Sequence, residues 1–208
     1  MTTLELTDIR QRAGGREILR IPALSVAAGA RLLLLGPSGC GKTTLLNLMA
    51  GLLRADHGQV SLNGQAYGTL SGQALDALRR NHFGIVFQKL HLIGHLTVEQ
   101  NICLAADRPD KTYMHSLTDR LGIADKRRSA ARNLSHGEAQ RAAIARALMN
   151  RPAVVLADEP TSALDDVQAD NVARLLLDET KTAGAALVVA THDTRIKPLF
   201  DTVLELAP

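Results

Sequence analysis

The sequence predicts an α/β fold with a mostly parallel central sheet, an antiparallel β flank and a helical subdomain inserted into the core. Three observations predict it. Short apolar runs alternate with helical stretches along the 208 residues, as strands wound against helices require. Two runs, Leu32-Leu33-Leu34-Leu35 and Ala185 to Ala190, are apolar throughout, which suits strands buried on both faces of a parallel sheet. The stretch from about Gln88 to Leu134 is helix-like and polar, without the buried-strand pattern.

Taken in order, strands are expected at Leu4–Ile9, Arg31–Leu35, Gln59–Leu62, Gly84–Phe87, Ala153–Ala157, Ala186–Ala190 and Thr202–Leu206. Helices are expected at Lys42–Ala50, Gly72–Arg80, Thr97–Ala105, Thr112–Leu121, Gly137–Met149, Val167–Lys181 and Thr194–Leu199. Pro152, just beyond Asn150, stops the fifth helix. Closely spaced strand signals before about residue 30 form the antiparallel flank. The expected organisation is one domain over 1–208, with a core of 1–87 and 135–208 and the helical subdomain at about 88–134.

Composition narrows the function. Hydrophobic residues at 46% and charged residues at 22% exclude a disordered chain. Aromatics at 2% leave no stacking platform for single-stranded nucleic acid, and 24 basic against 21 acidic residues give too weak an excess to mark a nucleic-acid partner. Lys126-Arg127-Arg128 and Arg132 are expected as a solvated helix end. Cys40 and Cys103 make no disulfide framework. Residues 1–8 carry no signal-peptide pattern, and no run approaches the ~18 apolar residues of a membrane span. Membrane work is therefore expected to need a separate subunit.

Gly36-Pro37-Ser38-Gly39-Cys40-Gly41-Lys42-Thr43 fits G-x-x-x-x-G-K-[ST] between an apolar strand and an apolar helix. Its glycines let backbone N–H groups curl around phosphate oxygens, and the helix from Lys42 directs its positive end at the same anion. Lys42 is expected on the β- and γ-phosphates and the Thr43 hydroxyl on Mg²⁺, with Thr44 continuing the nucleotide contact. The fold class is thus that of a P-loop NTPase. Cys40 lies in this loop just before a helix start, a setting that activates thiols, so either nucleotide-protected thiol modification or a small unreactive filler residue is expected.

Val154-Val155-Leu156-Ala157 runs into Asp158-Glu159, placing two carboxylates at a strand's carboxyl end, where open α/β sheets bind ligands. Adjacent strand residues point to opposite sides, so Asp158 is expected to hold Mg²⁺ through water and Glu159 to orient the attacking water. Leu134-Ser135-His136-Gly137-Glu138-Ala139-Gln140-Arg141 precedes a helix, and Ser135 with Glu138 also fits a plain capping box.

In this order, the phosphate loop, Gln88, the Ser135 segment, Asp158-Glu159 and His192 resemble the ATP-binding subunit of ABC transporters over nearly the whole chain. The resemblance implies an ABC ATPase that binds ATP with Mg²⁺ and forms a head-to-tail dimer with itself or a paralogous cassette. Ser135, His136, Gly137 and Glu138 look like the signature that closes on ATP held by the partner. It also implies Mg²⁺ contact for Gln88, γ-phosphate contact for His192, and a loop crossing to the partner at Ser162-Ala163-Leu164-Asp165. A transmembrane permease is the implied partner, with the cassette peripheral on the cytoplasmic face of the inner membrane. Gly84-Ile85-Val86-Phe87-Gln88, His91 to Thr97 and Asn101 are similar to the lipoprotein-releasing, macrolide-export and cell-division group. That group implies a hydrophobic or membrane-derived cargo, or a regulatory role without transport. A soluble ABC-type ATPase acting on DNA or the ribosome usually carries coiled-coil insertions or fused cassettes, and this chain has neither.

Three positions depart from the family pattern. Ala13 stands where an aromatic usually stacks on adenine, His136 replaces a usual Gly, and the insert between Asn101 and Leu134 is short. With Ala13 there, the base is expected either uncovered or covered by Arg16.

Overall fold

The computed structural model describes residues 3–162 and 164–207. Its strands are β1 (Thr3–Ala13), β2 (Arg16–Ala27), β3 (Arg31–Leu35), β4 (His57–Leu62), β5 (Gln65–Ala66), β6 (Phe83–Val86), β7 (Val154–Asp158), β8 (Ala186–Thr191) and β9 (Thr202–Glu205). Its helices are α1 (Lys42–Met49), α2 (Gly72–His82), α3 (Val98–Cys103), α4 (Lys111–Arg120), α5 (His136–Leu148) and α6 (Asp166–Ala183).

The strands form two sheets. One is antiparallel, in the order β2-β1-β4-β5; the other has the order β6-β7-β8-β3-β9, and every pairing in it is parallel. Alternation along the parallel strands divides the core in two. Leu32, Leu34, Val154, Leu156 and Val188 face a cluster shared with α1 and the antiparallel sheet. Leu33, Val155, Ala157, Leu187 and Val189 face a cluster built with α3, α4, α5 and α6. Period-two alternation sends neighbours to opposite faces, so strands buried on both sides are apolar throughout.

Two segments differ from expectation. The flank contains a 12-residue strand, β2, in which Leu19, Ile21 and Val26 are buried among exposed neighbours. Its polar outer face masks the strand signal. Thr194–Leu199 is a 3₁₀ segment with Pro198 inside it, because proline has no N–H to sustain an α-helical ladder.

Between β6 and β7 the chain forms α3 and α4, and then α5. Asn101 is fully buried there. Its Oδ1 accepts from the Ile93 N–H at 2.7 Å, and its Nδ2 donates to the Ile93 and Thr97 carbonyls at 3.1 and 3.0 Å. One side chain thus satisfies the irregular backbone that leads into α3. Arg127 donates to Thr118 Oγ1 at 2.6 Å and Lys126 pairs with Glu138 at 3.4 Å, so the basic run braces the insert.

Candidate nucleotide-binding site

Parallel register brings the carboxyl ends of three strands together. Leu35 of β3 lies beside Thr191 of β8, and Ala190 lies beside Asp158 of β7. Whatever follows each strand therefore lands on one edge of the sheet. After β3 the chain turns through Gly36, Pro37, Ser38, Gly39, Cys40 and Gly41 into α1. Gly41 has φ +92°, and a Cβ there would sit 2.9 Å from the Ile18 carbonyl oxygen. Only glycine combines that backbone with that approach.

Lys42 is buried, and its Nζ donates to the Gly36 and Pro37 carbonyls at 2.8 and 3.0 Å. The same ammonium stands 3.4 Å from Glu159. Lys42, Thr43, Thr44, Gln88, Glu159 and Ile18 line a cleft of about 270 Å³.

Cys40 does not meet the expectation of a reactive thiol. It is 4% exposed and belongs to the core cluster, packed so closely that a Cβ on Gly36 would lie 2.6 Å from Sγ. Burial removes the thiol from reagents, and the loop contribution of Cys40 is confined to its backbone.

Asp158 closes β7 and accepts a 2.8 Å hydrogen bond from Thr43 Oγ1 through Oδ2. Its Oδ1 is buried without a hydrogen-bond partner. Burial pushes this carboxyl above the ordinary range, with Glu159 adding to the shift and Thr43 and Lys42 opposing it. A buried carboxylate oxygen without a partner, beside a hydroxyl, is the donor set of a Mg²⁺ that keeps most of its waters. The residues present fit that ion.

Glu159 diverges from Asp158 for a reason other than strand alternation. It lies outside β7 and takes φ +48°, a left-handed conformation for a side-chain-bearing residue. The turn holds this strain. The Glu159 N–H donates to Ala190 O at 2.7 Å, while its carbonyl accepts from Ser162 N and Oγ at 3.2 and 2.9 Å. The carboxylate accepts from Thr191 Oγ1 at 2.9 Å and lies 3.0 Å from His192 Nδ1. Thr191 was not singled out by the sequence, where it falls one residue past the strand expected at Ala186–Ala190; in the structure it closes β8.

The remaining expected residues lie elsewhere on the surface. Ser135 caps α5 by accepting from the Glu138 N–H at 3.3 Å, and Glu138 returns the contact to the Ser135 N–H at 2.8 Å. Both halves of the capping box are thus present, while Ser135, His136 and Gly137 remain exposed. Gln140, on the same helix, donates to the Pro160 carbonyl, joining α5 to the turn after Glu159. None of the four signature residues lines the Lys42 cleft; His136 shares a separate depression with Gln88. Asp165 caps α6 through the Gln168 N–H at 2.8 Å and is exposed. Ala163 of that loop lies outside the described residues. Ala13 and Arg16 are exposed where β1 meets β2, and Ile18 rather than either borders the cleft.

Asp193 forms a second charged centre. It accepts from Thr161 Oγ1 at 3.0 Å and from Arg195 Nε and Nη2 at 2.8 and 2.7 Å. The Arg195 bonds hold its carboxyl down at about 2, from an ordinary 3.8. A depressed carboxyl stabilises the fold fully above its unfolded value and loses that contribution as pH falls through the folded value. Urea unfolding should therefore show stability falling between pH 3.8 and about 2, and Asp193→Asn should make that decline shallower. An equally steep decline in the variant would remove Asp193 as its source.

A parallel sheet carrying a glycine loop, a buried lysine and a Thr–Asp pair at its carboxyl edge defines a P-loop nucleotide-binding protein. A family profile described as ABC transporter matches residues 19–162. The chain belongs to the ABC transporter family and is an ATPase cassette of it. The macrolide export ATP-binding/permease protein MacB of Shigella flexneri is 39% identical over 213 residues, covering 98% of this chain and 33% of MacB. This relative agrees with the macrolide-export resemblance. An uncharacterised ABC transporter ATP-binding protein of Mycobacterium tuberculosis is 41% identical over 191 residues, 89% of this chain and 58% of its own length. The chain thus spans between 33% and 58% of these two relatives. Among solved structures, the dimeric bacterial ABC transporter cassette MJ0796 superposes with TM-score 0.86 and 28% identity, over 98% of this chain and 94% of that one. It has also been solved in a post-hydrolysis state with ADP and Pi.

Proposed function

We propose that the chain hydrolyses Mg-ATP within a dimer of cassettes and that closure of the dimer drives a transmembrane permease. One observation carries this reading: Lys42, the Thr43–Asp158 pair, Glu159 with His192, and Gln88 gather around one cleft or its rim. The dimeric form of MJ0796 supports the pairing. No described helix is long and apolar enough to cross a membrane. In this reading the permease is a separate partner, and the cassette docks on its cytoplasmic face at the inner membrane. The MacB relative supports a hydrophobic or membrane-derived cargo.

In this mechanism the loop N–H groups and Lys42 hold the β- and γ-phosphates. Thr43 Oγ1 and Asp158, with Gln88 at the rim, would hold Mg²⁺, which would supply charge neutralisation when bound. Glu159 orients and polarises a water for in-line attack on the γ-phosphorus. Thr191 and His192 fix that carboxylate, and His192 reaches the γ-phosphate from its exposed side. Ser135 and Gly137 of a second subunit complete the site over the γ-phosphate.

Reconstitution with the permease in vesicles tests the coupling. ATP-driven cargo movement, with ATPase activity raised by cargo, is the expected result. ATPase activity that responds to the permease while no cargo moves would instead favour the regulatory reading that the resemblance to the cell-division group implies.

Base recognition is expected to be weak. Stacking is worth roughly 1–3 kcal/mol per base, and Ala13 supplies none of it. ATP and GTP should bind within a few-fold of each other, and Ala13→Tyr should tighten both by up to about a hundredfold. Equilibrium titration of wild type, Ala13→Tyr and Arg16→Ala checks this. A large loss in Arg16→Ala with no gain from the tyrosine would assign the base to Arg16.

A further inference from the structure

The Asp193 centre reaches further than its own turn. Arg195 is partly exposed and holds three segments together. Nε and Nη2 grip Asp193, Nη1 pairs with Asp166 in the first turn of α6, and Nη2 also donates to the Leu164 carbonyl at 3.4 Å. Leu164 and Asp166 flank Asp165. On the other side, the Asp193 N–H donates to Thr191 Oγ1 at 3.0 Å, and that hydroxyl in turn donates to Glu159. An unbroken series of polar contacts therefore runs from the exposed Asp165 loop, through Arg195, Asp193 and Thr191, to the carboxylate in the cleft.

We propose that Arg195 is a positioning residue: it ties the loop carrying Asp165 to the turn carrying His192, so that seating of the loop against a second cassette sets the Glu159–His192 pair. This rests on the dimeric, ATP-hydrolysing reading above. The role suits arginine and not lysine, because a planar fork can grip a carboxylate with two nitrogens while the third meets Asp166. It is also distinct from packing, because the Asp166 and Leu164 contacts are made on the protein surface.

The test compares Arg195→Ala, Arg195→Lys and Asp166→Asn in steady-state ATPase assays, with nucleotide binding and thermal unfolding measured alongside. Arg195→Ala should lower kcat about tenfold while KM and nucleotide affinity stay within about twofold, since the phosphate loop is untouched. Arg195→Lys should recover less than about a third of the loss, lacking the fork. Asp166→Asn leaves the Asp193 pair intact and should still cost about threefold in kcat with an unchanged melting temperature. Asp166→Asn at wild-type kcat would overturn the proposal. So would Arg195→Ala in which affinity, kcat and melting temperature fall together. Wild-type protein without ATPase activity would instead overturn the functional reading on which the proposal stands.

Discussion

Glu159→Gln should bind ATP as tightly as wild type and hydrolyse it about a hundredfold or more slowly, the scale of losing a positioned general base. The amide keeps the size of the carboxylate but cannot polarise water as a carboxylate does. The variant should also keep the turn. The left-handed backbone at position 159 is held by the Ala190 carbonyl and by Ser162, not by the side chain. Thr191 Oγ1 can still donate to the amide oxygen. Since nucleotide is bound and not turned over, the closed dimer should accumulate, and size-exclusion chromatography with Mg-ATP should show it at twice the monomer mass. Hydrolysis near the wild-type rate would remove Glu159 from the chemistry and leave its strained turn without a functional account.

The phosphate loop was legible in the sequence because its geometry is written locally: glycine spacing, a preceding apolar strand and a following helix. The two-faced parallel sheet was equally legible, since β3 is apolar from Leu32 to Leu35 and β8 from Ala186 to Ala190. The contacts that aim the Glu159 carboxylate were not. Thr191 looks like a strand end, and it gains its role only because β7 and β8 are neighbours in register. Arg195 and Asp166 are 29 residues apart in sequence and meet only in the folded chain. Cys40 misled for the same reason, since position in a loop motif does not say which way a side chain turns. The outward placement of Ser135, His136 and Gly137, away from the Lys42 cleft of their own chain, is also a tertiary fact. It is what a site completed by a second copy requires.

Lys42→Met should separate nucleotide binding from folding. In the folded chain the Lys42 ammonium is buried against two loop carbonyls and Glu159. Removing one partner of a buried ion pair destabilises when the other is left uncompensated, but Glu159 keeps Thr191 Oγ1 and His192 as partners. Methionine keeps much of the aliphatic stem and deletes the charge. The melting temperature without nucleotide should therefore stay close to wild type. Binding is another matter, because a triphosphate in the cleft would lose the buried Lys42 cation. Charge-assisted contacts to phosphate are among the stronger polar interactions, and removal of this one should weaken ATP by about a hundredfold. Ligand present at about 100 times its Kd stabilises a fold by roughly 2.7 kcal/mol. At that ATP concentration the wild-type melting temperature should rise by several degrees, and the variant, now near its Kd, should gain only a fraction of that. Differential scanning calorimetry with and without Mg-ATP reads both quantities in one experiment. An equal ATP-induced rise in the two proteins would show that Lys42 does not hold the phosphates. A collapse of the nucleotide-free melting temperature would show that its ammonium is a structural clasp of the loop, made for folding before it is used for binding.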